Sequence, residues 1–485
     1  MTTRDPGPSF GPTPATALAL APDAVADRVV ASLYRRAERV ARAAVRPVGR
    51  ERDFTRRLDR VLTSRLTGLP IMALALGAAL WLTVVGANYP SRVIAALLFD
   101  VEHRLSALLT AAGAPVWLHG VLVLGMYRTL AWVVSVMLPP MAIFFPCFTL
   151  LEDLGYLPRV AFNLDALFRR AGACGKQSLT MCMGFGCNAA GVVSCRIIDS
   201  PRERLLAVLT NNFVICNGRF PTLIAMAGIL TDQWVRGRPA VPGLGVPGPA
   251  VPGLAALSDA PASLIAPLIV VGVVLTGIAA TFAVCWLLSR TLLRGVPSFF
   301  ALELPPLRRP RVGQVVVRSI LDRTVYVLWR AVAVAAPAGA VVWVLGNTFV
   351  GGRSLVAHLA GWLGPVGRLM GLDGFIVAAF ILGLPANEIV LPILLMSYLS
   401  TGMMIEVESL GDLARVLLAH GWTWLTAVNY MLFSLLHWPC ATTLLTIRKE
   451  TQSRLWTAAA GLLPAGAAFA VCTAVAWAAR LAGLV

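Results

Sequence analysis

The chain has 485 residues, of which 58% are hydrophobic and 13% charged, with a mean hydropathy of +0.76. Soluble domains carry about 25% charged residues, so the composition excludes a soluble enzyme and describes a polytopic helical membrane protein. The net charge of +17 does not signal nucleic acid, because the Arg residues gather in an N-terminal arm and in particular loops, as the positive-inside bias requires, and no basic patch with interleaved aromatics occurs.

Residues 1–22 read as a disordered, Pro-rich tip. Residues 24–65 set Arg at helical spacing among Val, Ala and Leu, as in VASLYRRAERVARAAVR, and residues 1–65 hold 13 Arg against 7 acids. That pattern predicts an amphipathic helix on an anionic inner leaflet and a cytoplasmic N-terminus. The start MTTRDPGPSF has no basic stretch ahead of its apolar run, so no signal peptide is expected. Apolar stretches that reach the ~20 residues a spanning helix needs place spans at about 66–87, 119–151, 205–230, 264–290, 324–346, 422–446 and 455–480. The stretch 88–118 suits an interfacial helix. Residues 231–263, rich in Pro, Gly and Ala, read as an outer loop, and 290–323, with 7 Arg against 2 acids, as an inner one.

Two stretches do not read as plain spans. MCMGFGCNAAGVVSC (181–195) is glycine-rich and flanked on both sides by Arg and Lys (Arg169, Arg170 and Lys176; Arg196, Arg202 and Arg204), so both flanks belong in the cytoplasm. It is expected to enter the membrane and return. Residues 375–398 contain LGLPANEIVLP, interrupted by Gly383, Pro385 and Pro392, between sparsely basic flanks. This second hairpin is expected to dip in from the outside. Gly184–Phe–Gly–Cys–Asn188 and Gly383–Leu–Pro–Ala–Asn387 share a G-x-x-x-N pattern, and RTLAWVVSVMLPP from Arg128 has a counterpart in RTVYVLWRAVAVAAP from Arg323. The fold class that follows is all-α and polytopic, with about 7–8 transmembrane helices and two re-entrant or broken hairpins in an inverted repeat. Transporters of this design bind their substrate near the midplane, where broken helices expose backbone groups.

The expected divisions are a cytoplasmic arm (1–65), a first span with an interfacial helix (66–118) and a first repeat (119–230). An outer loop, linking span and basic inner loop (231–323), a second repeat (324–446) and a C-terminal span (447–485) complete the chain.

An ionisable group at membrane depth costs at least ~2.5 kcal/mol and marks function by default. Glu388, beside Asn387 in the second hairpin, is the clearest case; its structural alternative is a buried pair with Arg219. Cys187, Cys216 and Cys440 lie beside helix breakers or polar residues in GFGCN, VICNGRFP and LLHWPC. A sulfur at such a break faces a cavity, and thiolates select soft or borderline ions such as Fe(II), Zn(II) or Cu(I). Asn188 and Asn387 would add amide oxygens. His437 is an imidazole candidate or a structural histidine, Cys182 and Cys195 are weaker candidates, and Cys147, Cys285 and Cys472 read as packing residues. GACGKQS (172–178) fails as a phosphate loop, since Arg170 stands where a Gly is needed and Gln177 where a Ser or Thr is. These residues carry no GTPase or ATPase motif and no catalytic triad, so a transporter is expected rather than an enzyme.

At these residues the chain resembles the membrane portion of the ferrous iron transport protein B (FeoB) family. The resemblance rests on DRVLTSRLTGLPI (59–71), LLEDLGYLPRVAF (150–162), GFGCN (184–188), RERLLAVLTNNFVICNGRFP (202–221), FALELPPLRRPR (300–311) and WPCATTLLTIRKE (438–450). It implies two gate repeats of the nucleoside-recognition type and an iron path through Cys187 and Cys440. The Arg-rich arm stands where the family carries its G domain. The family's Ala-Lys-Glu reads Ala386–Asn387–Glu388 here, and Ala189 and Ala190 follow GFGCN where the family usually has a nearby Pro. The expected protein is thus a bacterial inner-membrane permease for Fe(II) or a similar soft divalent ion. Its metal-path residues are Cys187, Asn188, Cys216, Asn387, Glu388 and Cys440. It holds no permanent cofactor and binds no nucleic acid; a separate GTPase or an ion gradient drives it, and a homo-oligomer is compatible. A nucleoside-type permease using Asn387 and Glu388, or a non-transporting membrane regulator, is the rival reading.

Overall fold

The structure, a computed structural model, describes residues 22–44, 58–232, 262–295, 310–405 and 409–484, with positions 307 and 407. The tip (1–21), the second half of the arm (45–57) and the loop 233–261 lie outside these residues. Among the described residues, seven helices are long and apolar enough to cross a membrane, or up to eight when a pair bent by 112° is taken as one span. The chain is an all-α, multi-pass membrane protein, and the strands described are a two-residue pair, Phe349–Val350 with Arg353–Ser354.

Helix α1 (Pro22–Ala44) has the amphipathic pattern expected of the arm, with Val29, Leu33 and Val40 exposed along it. Helix α2 (Arg65–Ala111) corrects the sequence reading: residues 88–111 form no separate interfacial helix but continue the first span through Pro90. At 47 residues it is about 70 Å long, well beyond a bilayer's hydrocarbon core. Its far part is tied to the next helix instead, through an ion pair between Glu102 and Arg128 (3.5 Å) and a bond from the Tyr127 hydroxyl to Leu98 O (3.0 Å).

The first repeat comprises α3 (Val116–Asp153), the amphipathic α4 (Tyr156–Arg170), α5 (Lys176–Gly186), α6 (Asn188–Ser194), α7 (Pro201–Thr210) and α8 (Phe220–Leu230). Helix α9 (Ala262–Arg290) links it to the second. There α10 (Val312–Asn347), α11 (Leu355–Leu369), α12 (Gly374–Leu382), α13 (Val390–Leu399), α15 (Trp424–Leu436) and α16 (Ala441–Thr451) follow the same plan. One more helix, α14 (Leu410–Ala419), lies in the segment read as a plain outer loop, and α17 (Arg454–Leu481) ends the chain. The leading helix of each repeat contains a π-helical stretch, Gly120–Tyr127 in α3 and Ser319–Val325 in α10.

These leading helices run antiparallel, and glycine lets them meet. A Cβ on Gly120 would strike the Trp343 ring, one on Gly125 would press on Gly339 O at 3.0 Å, and one on Gly339 would strike Thr129. Numbers rise along α3 as they fall along α10. The same inversion shows in the hairpins, each of which is pinned shut at its base. Lys176 and Asp199 pair at 2.7 Å across the ends of the first. Tyr398 donates to Asp373 across the ends of the second, and the Trp422 indole donates to Tyr398 at 2.9 Å. The first base belongs with the end where α3 finishes, where Asp153 meets Arg311 N (3.3 Å), Asp165 accepts from Gly175 N (2.9 Å) and Arg196 holds Glu450. The second belongs with the opposite end, where Arg128 reaches Met403 and Asn347 donates to Gly402 O. The hairpins therefore enter from opposite faces.

This crossing makes a stability prediction. Gly339→Val forces a side chain into backbone and is expected to cost about 1–3 kcal/mol, the usual toll of overpacking. Gly466→Ala, with open space around it inside α17, should not lower the thermal midpoint of the detergent-solubilised protein.

Candidate functional site

Four helix breaks converge at the centre. Cys187 separates α5 from α6 with φ −157° and ψ 126°, and Ala386 leads into the turn Asn387–Ile389 with φ −152° and ψ 128°. In both G-x-x-x-N motifs one extended residue precedes the Asn that opens the next helical turn; α5 runs directly up to Cys187, whereas a turn over 383–385 separates α12 from Ala386. The other two breaks interrupt spans. Cys216 (φ −85°, ψ 162°) precedes the short turn Asn217–Arg219 ahead of α8, and Cys440 (φ −60°, ψ 157°) precedes α16. All three candidate cysteines thus occupy the position just before a helix start, where the first turn leaves N–H groups unpaired.

Small residues bring these breaks together. The Asn211 side chain fills the space where a Cβ would project from Gly184 or Gly191, and the Phe144 ring does so at Gly186. The glycines of MCMGFGCNAAG are room for neighbours. Asn211 then donates to Asn188 O at 3.0 Å, and the Asn188 amide sits 3.1 Å from Gly184 O and 3.2 Å from both Val214 O and Asn212 Oδ1.

A cavity of about 500 Å³, counting its mouth, opens between the breaks. Its lining includes all six residues expected on the path: Cys187, Asn188, Cys216, Asn387, Glu388 and Cys440. Asn387 Nδ2 points at Cys216 Sγ (3.7 Å), and Cys440 Sγ lies 3.2 Å from Thr443 Oγ1. Met137, Met141, Asn217, Thr442 and Thr443 line it too, and sequence reasoning missed them. The two methionines sit four apart on one face of α3, a spacing that hydropathy reads as ordinary packing, yet their thioethers add soft donor atoms. Among the described residues no group of three or more His, Cys, Asp or Glu side chains is already gathered as a metal shell. The cavity offers soft and amide donors along a route rather than a closed coordination sphere.

Two neighbours turn out to be scaffold. His437 is buried, with Nδ1 at 2.9 Å from Ser434 O and Nε2 at 3.3 Å from Asn387 Oδ1, so it orients the amide from behind the cavity. Arg219 is also fully buried, and no ion pair joins it to Glu388 among the described residues. Its guanidinium reaches Leu435 O (2.9 Å), Asn212 O and Trp438 O (3.4 Å each), while Asn212 Nδ2 donates to His437 O at 2.7 Å. Both residues come from the broken span of the first repeat and satisfy carbonyls freed by the broken span of the second. Cys285 and Cys472 are buried, as expected of packing residues, and Cys147 is half-buried; the weaker candidates Cys182 and Cys195 lie outside the cavity lining.

Removing this clamp tests its role. Arg219→Met is expected to lower stability by about 3 kcal/mol, because each buried carbonyl left without a donor costs ~1–3 kcal/mol. Arg219→Lys should recover only part of it, lacking the planar fork; thermal unfolding in detergent reads both.

Comparisons with known proteins agree with this architecture. A family model described as nucleoside recognition (Gate) matches residues 134–230 and again 328–454, one match within each repeat. A second, described as ferrous iron transport protein B C terminus, matches 270–322. A Staphylococcus aureus protein named Fe(2+) transporter FeoB is 26% identical over 430 residues, covering 85% of this chain and 57% of the relative. Namesakes from Synechocystis (28% over 419 residues, 85% of this chain and 61% of the relative) and Methanocaldococcus jannaschii (29% over 331 residues, 65% and 43%) are similar in the same way. The chain spans about three fifths or less of the length of these relatives. No solved structure matches. With two gate matches, an intervening match to the ferrous iron transport protein B C terminus and relatives of 26–29% identity, this chain is similar to the membrane portion of that family.

Proposed function

We propose that the chain is an inner-membrane permease for Fe(II) or a similar soft divalent ion. The observation that carries this is one cavity, at the meeting of four helix breaks, lined by three cysteines, three asparagines and a single carboxylate. Each donor type suits the cargo: thiols release their protons when a metal binds, amide oxygens replace part of its water shell, and Glu388 supplies a carboxyl oxygen. The ion passes among Cys187, Cys216 and Cys440 while Asn188, Asn387 and Glu388 hold it between sulfurs. Opposed hairpins suit alternating access, each exposing the midplane to one side. The Arg-rich end, with Arg159, Arg196, Arg202 and Arg311, is assigned to the cytoplasm by the positive-inside rule, and the N-terminal arm with it. Energy comes from outside these residues, from a GTPase or an ion gradient.

Uptake by proteoliposomes tests the reading with Fe(II), Zn(II) and labelled nucleosides side by side. Fe(II) uptake is expected, and Cys187→Ser should cut it by about tenfold or more, the loss of roughly one good ligand interaction. Nucleoside uptake sensitive to Glu388→Gln and indifferent to the cysteine change would replace iron with a nucleoside substrate, and no uptake of any of them would make the chain a regulator. Orientation is checked separately. Reporter fusions after residues 200 and 300 are expected to read cytoplasmic, and a fusion after residue 410 to read external.

A further inference from the structure

The central cavity is not the only space at this depth. A second one, of about 750 Å³ counting its mouth, is lined by Trp132, Val136, Pro221, Leu391, Leu395 and Leu413 among others, and among the described residues Glu388 is the only ionisable one on its wall. It runs along the first turns of α13 toward the start of α14, that is, toward the face from which the second hairpin enters. The two cavities share just two lining residues, Gly218 and Glu388. At that neck the Glu388 carboxyl group occupies the place a Cβ on Gly218 would take, with its Cγ 3.2 Å from that position. Gly218 has no positive φ, so what the site requires there is room, not an unusual backbone.

We propose that Glu388, seated on the bare backbone of Gly218, is the plug between an apolar vestibule and the thiol-lined cavity. In its present rotamer the side chain closes the neck by its bulk. When it swings off Gly218 the spaces join, and the same carboxylate escorts a cation inward. The first repeat has Ala189 at the position equivalent to Glu388, so the plug belongs to one face alone. The inference rests on the permeation reading given above, but its test needs neither metal nor transport, so either can fail without the other.

The experiment measures how fast a small neutral maleimide modifies Cys216 and Cys440 in the full, detergent-solubilised chain, resolved by peptide mass spectrometry. Glu388→Ala is expected to speed modification about fivefold or more, as removal of a gating side chain should. Glu388→Gln, which keeps the bulk and drops the charge, is expected to stay within about twofold of wild type, since bulk rather than charge closes a steric gate. Adding Gly218→Leu to Glu388→Ala puts a side chain back into the vacated neck and should restore the slow rate. Cys472, buried where α17 packs on Asn429, reports general loosening and should keep its wild-type rate in every variant. The plug is overturned if Glu388→Ala leaves the rate near wild type, if the double variant reacts as fast as the single one, if Gln reacts like Ala, or if Cys472 accelerates in parallel.

Discussion

Backbone polar groups at membrane depth have no water to bond to, and each one left alone costs several kcal/mol. This chain breaks its helices four times near one point, at Cys187, Cys216, Ala386 and Cys440, and the rest of the central architecture answers that cost. Asn212 and Arg219, from the broken span of the first repeat, act as solvent for the carbonyls of Leu435, His437 and Trp438 in the second. Within the second repeat, Ala441 N donates to Leu384 O at 2.8 Å, so one break caps the next. The repeats are interlocked by hydrogen bonds that neither could make alone. A buried arginine normally raises the expectation of a charge partner; here carbonyl dipoles at the end of α15 take that role, as cations at helix C-termini generally do.

The same four breaks explain how a symmetric scaffold carries an asymmetric site. Both hairpins set one extended residue before an Asn, yet the extended residue is Cys187 in one and Ala386 in the other, and the residue after Asn is Ala189 in one and Glu388 in the other. The first hairpin brings sulfur and the second brings carboxylate, from opposite faces, to one cavity. Inverted geometry supplies two equivalent approaches to the midplane, and side-chain substitution makes them chemically unequal.

Much of this was legible in the sequence because it is written in periodicity and charge. Long apolar runs gave the spans, Arg and Lys flanks required the first hairpin to return to its own side, and G-x-x-x-N marked two breaks whose backbone angles agree to within 5°. The six expected site residues share a wall because helix breakers and polar residues in an apolar chain have few other reasons to exist. What stayed hidden depends on distance along the chain. Arg219 looked like an ion-pair partner for Glu388 because both are charged and near breaks; the two groups attract each other without meeting, and the shortest bond of the guanidinium goes to Leu435 O, 216 residues away and with no side-chain signal. The balanced charge and modest hydropathy of 88–118 looked like an interfacial segment, but α2 runs on through Pro90 and its far part is held beside α3 by Arg128 and Tyr127. Met137 and Met141 were invisible because a thioether facing a cavity and one facing lipid have the same hydropathy.

A cation at this site faces an electrostatic difficulty that shapes the chemistry. Four helix starts meet there, and helix N-termini carry partial positive charge that favours anions. A carboxylate-only cage would have to overcome that repulsion with fixed charge, which is costly to bury when the cavity is empty. Thiols avoid the conflict: uncharged while the cavity is vacant, they become anionic as a metal displaces their protons, and the N–H groups that would repel a bare cation then stabilise the sulfur bound to it. Cys187, Cys216 and Cys440 stand just ahead of those N–H groups. On the permeation reading, placing cysteine at three of the four breaks and a single carboxyl group, Glu388, at the edge of the cavity would let helix starts and a metal cation occupy the same place.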